Sequence, residues 1–257
     1  MVRMENNALI RLQDLVDNPT TRVPICICLD TSASMLVVES GTYEKTGETV
    51  YEDGRTWNIV SGGETRLNEL QKGLQLFFDA ITGDEVAKYA AEICVVQFND
   101  DAECLLDFGS IERQQVPQLK AKGDTHMGEA VNLALDLLEK RKNEYKDKGV
   151  DYYQPWLVIL TDGENNGSQD SWQRAIDRVG NMVKSKKLTV FPIGIGKEAN
   201  MSSLGKLSPN RSPLRLQGLK FAEFFEWLSK SVSKTSQSVP GELVALDTEG
   251  IKGWGTL

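Results

Sequence analysis

Oxygen-bearing side chains at every second position, Asp30, Ser32 and Ser34, follow one apolar run. In Ile25-Cys26-Ile27-Cys28-Leu29-Asp30-Thr31-Ser32-Ala33-Ser34-Met35, a carboxylate is followed by two alternating hydroxyls. Oxygen donors suit a hard divalent cation such as Mg2+ and suit zinc or copper poorly. A second apolar run, Trp156-Leu157-Val158-Ile159-Leu160-Thr161, ends the same way in Asp162-Gly163. Two buried carboxylates facing each other would repel and push one pKa upward, and a divalent cation removes that repulsion. Ser32, Ser34 and Thr125 can add neutral oxygens, with a position left for a carboxylate from a partner protein. The predicted cofactor is therefore Mg2+, with Mn2+ or Ca2+ as substitutes.

The elements that must position these groups are legible from periodicity. Continuous apolar runs read as central strands covered on both faces, and in open α/β sheets ligands bind where such strands end. Strands are predicted near 23–29, 92–99, 102–108, 156–161, 188–196 and, weakly, 213–216. Pro192 is awkward in its strand, since proline favours edges and bulges. The tight Asn99-Asp100-Asp101 link makes the second and third strands an antiparallel hairpin at a sheet edge. Apolar steps of three and four predict helices carrying Leu67 to Ile81, Val131 to Leu138, Trp172 to Val183 and Phe221 to Val232. Lys140 to Lys148 reads as the solvated end of a helix or a loop. The fold class is α/β, doubly wound, with a mostly parallel central sheet, one antiparallel edge strand and helices on both faces, a Rossmann-like arrangement.

The domain reading has three parts. Residues 1–19 form an N-terminal helical extension, 20–235 the main domain, and 236–257 a tail in which Trp254 either docks or is exposed. An insertion at about 36–64, with five glycines, follows Ser34 and reads as one or two hairpins beside the site. It is a tolerated surface excursion or a specificity element.

Composition limits the function classes. The 257 residues carry a net charge of −8 and 40% hydrophobic content, which supports a sizeable core and argues against phosphate-backbone binding. No apolar stretch is long enough to span a bilayer and no uncharged secretory core begins the chain, so neither a membrane nor a nucleic-acid partner is expected. Cys26, Cys28, Cys94 and Cys104 read as buried free thiols rather than disulfides or a CxxC metal site, which points to a reducing cytoplasm.

Taken in order, Asp30-x-Ser32-x-Ser34, Gly123-x-Thr125-x-Met127-Gly128-x-Ala130 and Thr161-Asp162-Gly163 resemble the von Willebrand factor A (vWA) domain and its metal-ion-dependent adhesion site (MIDAS). In detail the pattern is similar to stand-alone bacterial TerY-like domains of the tellurium-resistance type. The resemblance covers about residues 20–235. It implies a divalent-metal-dependent protein-binding module without catalysis, in a bacterial stress-response or defence system, with phosphatase or kinase partners. It assigns the metal to Asp30, Ser32, Ser34, Thr125 and Asp162. Asp124, His126, Gly163, Glu164 and Asn165 would line the partner-binding rim. Two features depart from the family pattern: Asp124 stands where a small residue is usual, and the insertion is extra. The rival readings are a metal-dependent hydrolase or phosphatase and a scaffold with a purely structural metal. Haloacid-dehalogenase-type phosphatases need a second Asp where this chain has Ser32, which removes the acid/base. His126, the only histidine, has no partner motif for nucleophilic catalysis.

Overall fold

A computed structural model describes Leu15 and residues 17–52, 55–197, 199–238 and 250–256. The expected N-terminal helix lies outside them except for Leu15, which is buried, and Asp17. The strands are β1 (Val23–Asp30), β2 (Val38–Glu52), β3 (Arg55–Thr65), β4 (Ala91–Phe98), β5 (Ala102–Leu106), β6 (Trp156–Thr161), β7 (Thr189–Ile195), β8 (Leu214–Leu216) and β9 (Gly255–Thr256). The α-helices are α1 (Arg66–Gly83), α2 (Ala87–Ala90), α3 (Met127–Lys148), α4 (Gln169–Lys184), α5 (Met201–Lys206) and α6 (Phe221–Ser236).

The main sheet runs β5-β4-β1-β6-β7-β8-β9. From β4 to β8 each neighbouring pair is parallel, and β5 adds the expected antiparallel edge strand. β1 sits in the middle because every residue in it is buried, and its alternation divides the core. Val23, Ile25, Ile27 and Leu29 face one side with α1 and α6, whereas Cys26 and Cys28 face the other with α3 and α4. Successive side chains of a strand point to opposite faces, so this one octapeptide anchors both helical layers. The chain leaves β1 toward β4 on one side and later returns to β6 on the other. The C-terminal ends of β1 and β6 therefore flank the point where strand order reverses, the usual place for a ligand.

Pro192 is accommodated because β8 pairs only with Ile193–Ile195. At Pro192 itself β7 has a ladder partner on the β6 side alone, through Ile159.

Two readings from periodicity need correction. The end of α3 is not simply a solvated charged stretch: Arg141, Lys142 and Tyr145 are buried. Arg141 forms a two-pronged contact with Glu92, at 2.6 Å from Nε and 2.8 Å from Nη2. Tyr145 donates to the same carboxylate and Arg22 lies 3.3 Å from it. This buried charge cluster occupies the sheet end remote from Asp30. The last residues are also not a loose tail. Trp254 is buried against Phe224 and Trp227, and Gly255–Thr256 pair antiparallel with β8 as a second edge strand. A two-residue strand carries no period, so only its tryptophan marked it in the sequence.

The insertion forms one long hairpin, β2 with β3, in a separate two-stranded sheet. Where its burial is described, outside residues 52–55, its positions are exposed or half-buried, and Tyr43, Val50, Tyr51 and Ile59 are among the exposed large apolar residues. No helix among the described residues is long and apolar enough to cross a membrane.

Candidate metal centre

Asp30 ends β1 and is fully buried. One carboxylate oxygen accepts from the Ser32 backbone N–H at 2.9 Å, and the other accepts from the Thr161 hydroxyl. Burial, and then the charge of Asp162, push the Asp30 carboxyl up to about 7, although those hydrogen bonds favour the ionised form. No described cation pairs with it.

From Asp30 the loop turns into a short 3-10 segment, Ala33–Leu36, which brings the hydroxyls round. The Ser32 and Ser34 hydroxyls are 2.9 Å apart, and the Ser34 hydroxyl donates to Asp162 Oδ1 at 2.7 Å. Ser32, Ser34 and Asp162 thus form one polar chain beside Asp30.

Thr125 comes from a distant loop and is held there by backbone hydrogen bonds. The Ala33 N–H donates to the Gly123 carbonyl at 2.9 Å and the Lys122 N–H to the Thr31 carbonyl at 2.9 Å. The His126 N–H donates to the Asn99 carbonyl at 2.8 Å, while the Asn99 side chain donates to the Thr31 hydroxyl at 3.1 Å. Gly123 has φ +60°, and a β carbon there would be strained and would displace the Asp100 carboxylate, so glycine suits the loop. Thr125 is buried, and its Oγ1 lies 3.3 Å from where a β carbon on Gly163 would stand. The β1, β6 and Thr125 loops accordingly converge at one sheet end.

The rim residues have diverse roles. Asp124 and Glu164 are exposed, and His126 and Gly163 half-buried. Glu164 accepts from Asn200 at 2.7 Å. Asn165 turns inward, accepting from the Gly128 N–H at 2.9 Å, and so satisfies an orphan donor at the start of α3. Its side chain is occupied in shaping the loop.

Sequence reasoning missed Arg66. This first residue of α1 is buried and its Nη1 lies 2.6 Å from Asp162 Oδ2. The same guanidinium pairs with Glu39 at the start of the hairpin, through Nε at 2.9 Å and through Nη2. Gly196, φ +73°, leaves room for it: a β carbon there would lie 3.3 Å from Nη2. Arg66 falls on no apolar period, and a lone arginine opening a helix ordinarily reads as solvated. Thr161 was read as the end of a strand, with no signal that its hydroxyl would serve Asp30.

The residues present fit a hard divalent cation. The donor set is all oxygen, Gly163 keeps the space beside Thr125 clear of a side chain, and Asp30 has no counter-charge among the described residues while Asp162 disfavours its ionised form. Arg66 covers Oδ2 of Asp162 only. Asp30, Ser32, Ser34, Thr125 and Asp162 would hold the ion, directly or through water.

A sequence profile described as the von Willebrand factor type A domain matches residues 25–222. Over 172 residues the chain is 33% identical to the collagen alpha-5(VI) chain of Mus musculus, an alignment covering 64% of this chain and 6% of that one. Among solved structures, the chain is similar to a von Willebrand factor type A protein from Catenulispora acidiphila, with a TM-score of 0.51 and 17% identity, covering 83% of this chain and 43% of that one. It is also similar to the vWF domain of the type V pili tip protein Mfa5 from Porphyromonas gingivalis, with a TM-score of 0.54 and 12% identity, covering 88% and 99% respectively. At these identities the structural matches establish the fold. The chain spans a small part of the collagen relative and less than half of the Catenulispora protein.

Proposed function

Since this chain belongs to the von Willebrand factor type A domain family, a family that commonly mediates protein–protein interaction, we propose that it is a divalent-metal-dependent module that captures an acidic side chain of a partner protein. The observation that carries this reading is the convergence of Asp30, Ser32, Ser34, Asp162 and Thr125 from three loops, with one buried carboxyl that no cation among the described residues compensates. A bound Mg2+ would neutralise the two carboxylates and offer an open position to an incoming Asp or Glu.

The protein's own groups do the rest. Thr161 and the Ser32 N–H fix the Asp30 carboxylate, Ser34 fixes Asp162, and the Asn99 turn ties the Thr125 loop to the β1 loop. The neutral hydroxyls leave the ion's charge largely unquenched. The exposed apolar side chains of the hairpin, which joins the site through Glu39 and Arg66, would add a second contact surface for the partner. A phosphatase or kinase partner and a bacterial stress-response or defence setting, cytoplasmic and of TerY-like type, complete the proposal.

One observation favours the second reading, a scaffold site. Arg66 already supplies Asp162 with a cation, and a site latched this way would need no partner. Co-purification in Mg2+ against chelator, with the intact chain and with Asp162→Ala, separates the two. Capture that needs both Mg2+ and Asp162 supports the module. A Mg2+-dependent rise in Tm with no Mg2+-dependent capture supports the scaffold.

A further inference from the structure

A second group of metal-ligating atoms lies on the β4–β5 edge pair of the sheet. Cys94 on β4, Cys104 on β5 and Asp107 just beyond β5 bring one sulfur, one sulfur and one carboxylate oxygen within 4.8 Å of one another. The two sulfurs are 4.0 Å apart. Cys104 pairs with Val96, which shares a strand face with Cys94, and the ladder slip that pairs Val95 with Leu106 carries Asp107 toward the same face. Such an irregularity re-aims the side chains of the bulged strand.

We propose that Cys94, Cys104 and Asp107 form a zinc-class cation site, separate from the all-oxygen centre and filled by a different class of ion. With metal–sulfur bonds of about 2.3 Å, the two sulfurs of a tetrahedral site stand roughly 3.8 Å apart, so the observed separation needs almost no movement. A disulfide would have to bring the same sulfurs to about 2.05 Å. The mixed thiolate and carboxylate set selects zinc over Cu(I), which prefers soft sulfur alone, and over Mg2+, which takes oxygen. Charge also balances. Two thiolates and a carboxylate carry −3, the ion +2, and the Lys140 ammonium, 3.8 Å from Asp107 Oδ2, supplies the remaining +1.

Access runs from the half-buried side, where Cys104 and Asp107 are partly exposed, to Cys94, which is buried. The fourth position faces that side and takes water or a group from a partner. The neighbouring Cys94 thiol and burial both push the Cys104 thiol up. Uptake of one ion forms two metal–sulfur bonds and one metal–oxygen bond and releases the two thiol protons to solvent.

The test uses the reduced full chain in excess Mg2+, which saturates the oxygen centre. Titration with Co2+ should give a thiolate-to-cobalt charge-transfer absorption that saturates at one equivalent and is abolished by Zn2+. Cys104→Ser, at a half-buried position, should remove the absorption, Asp107→Asn should weaken or remove it, and Asp30→Ala should leave it intact, which separates this site from the centre proposed above. Absence of the absorption in the folded chain would overturn the proposal. So would its persistence in Cys104→Ser, or Zn2+ binding that leaves both thiols free to react with a thiol reagent.

Discussion

Asp30→Asn isolates the cost of holding a carboxylate at this place. The side chain keeps its size: its oxygen can still accept from Ser32, and its amide can donate to the Thr161 hydroxyl. The Asp30 carboxyl has a folded pKa of about 7 against an ordinary value of 3.8. A carboxyl raised in the folded state contributes stability that is fully present below the unfolded value and lost as pH rises through the folded one. Full ionisation in the folded state therefore costs up to about 4 kcal/mol, from about 3 pKa units at 1.36 kcal/mol each. Between about pH 5 and pH 8, this group alone should remove roughly 2–3 kcal/mol of metal-free stability. In chelator, Asp30→Asn should match the wild type near pH 4 and exceed it at pH 8 by about 3–4 kcal/mol, or roughly 6–16 °C in Tm for a domain of this size. Thermal melts in chelator across that range read it directly. A variant less stable than wild type at pH 8, or a difference that does not change with pH, would refute the reasoning that burial and Asp162 destabilise this charge.

Other perturbations bear on the remaining contacts. Arg66→Met leaves Asp162 buried without its cation, so metal-free stability should fall by about 3–5 kcal/mol and the Mg2+-induced rise in Tm should grow; an unchanged Mg2+ response would make Arg66 irrelevant to the centre. Glu92→Gln breaks the pairing with Arg141 at the other end of the sheet and should cost about 3 kcal/mol or more in urea melts while leaving the Mg2+ response intact. Trp254→Ala should cost about 3–5 kcal/mol, because its ring packs on Phe224 and Trp227; a loss below 1 kcal/mol would show that the C-terminal segment contributes little. Replacing residues 42–60 by a short glycine linker keeps Glu39 and should alter which partner is captured at unchanged Mg2+ affinity, as read by calorimetry and co-purification.

The sequence made the frame legible because β1 and β6 are uninterrupted apolar runs and α1, α4 and α6 carry clean helical stripes. Each of these signals is local, and burial on two faces or one writes it directly into residue type. That Asp30, Ser32, Ser34 and Asp162 would come together was legible too, since the ends of neighbouring strands in a doubly wound sheet meet at the switch point. What escaped depends on tertiary partners. Arg66 and Arg141 look solvated until Asp162, Glu39 and Glu92 arrive from elsewhere in the chain to compensate them. Asn165 looks like an exposed rim residue until the start of α3 presents an unsatisfied N–H. The pairing of Gly255–Thr256 with β8 is too short to leave a period, and the approach of Asp107 to the Cys94–Cys104 pair depends on a ladder slip that no spacing rule encodes.

The central claim is that one hard cation binds among loops that only the fold brings together. Paramagnetic broadening by trace Mn2+ in an amide NMR spectrum tests it most directly. The account predicts that Ser32, Ser34, Thr125 and Gly163 broaden first and together, that excess Mg2+ reverses the effect, and that Asp30→Ala abolishes it. Broadening centred on the exposed acidic surface, with Thr125 unaffected or with Asp30→Ala behaving as wild type, would contradict it.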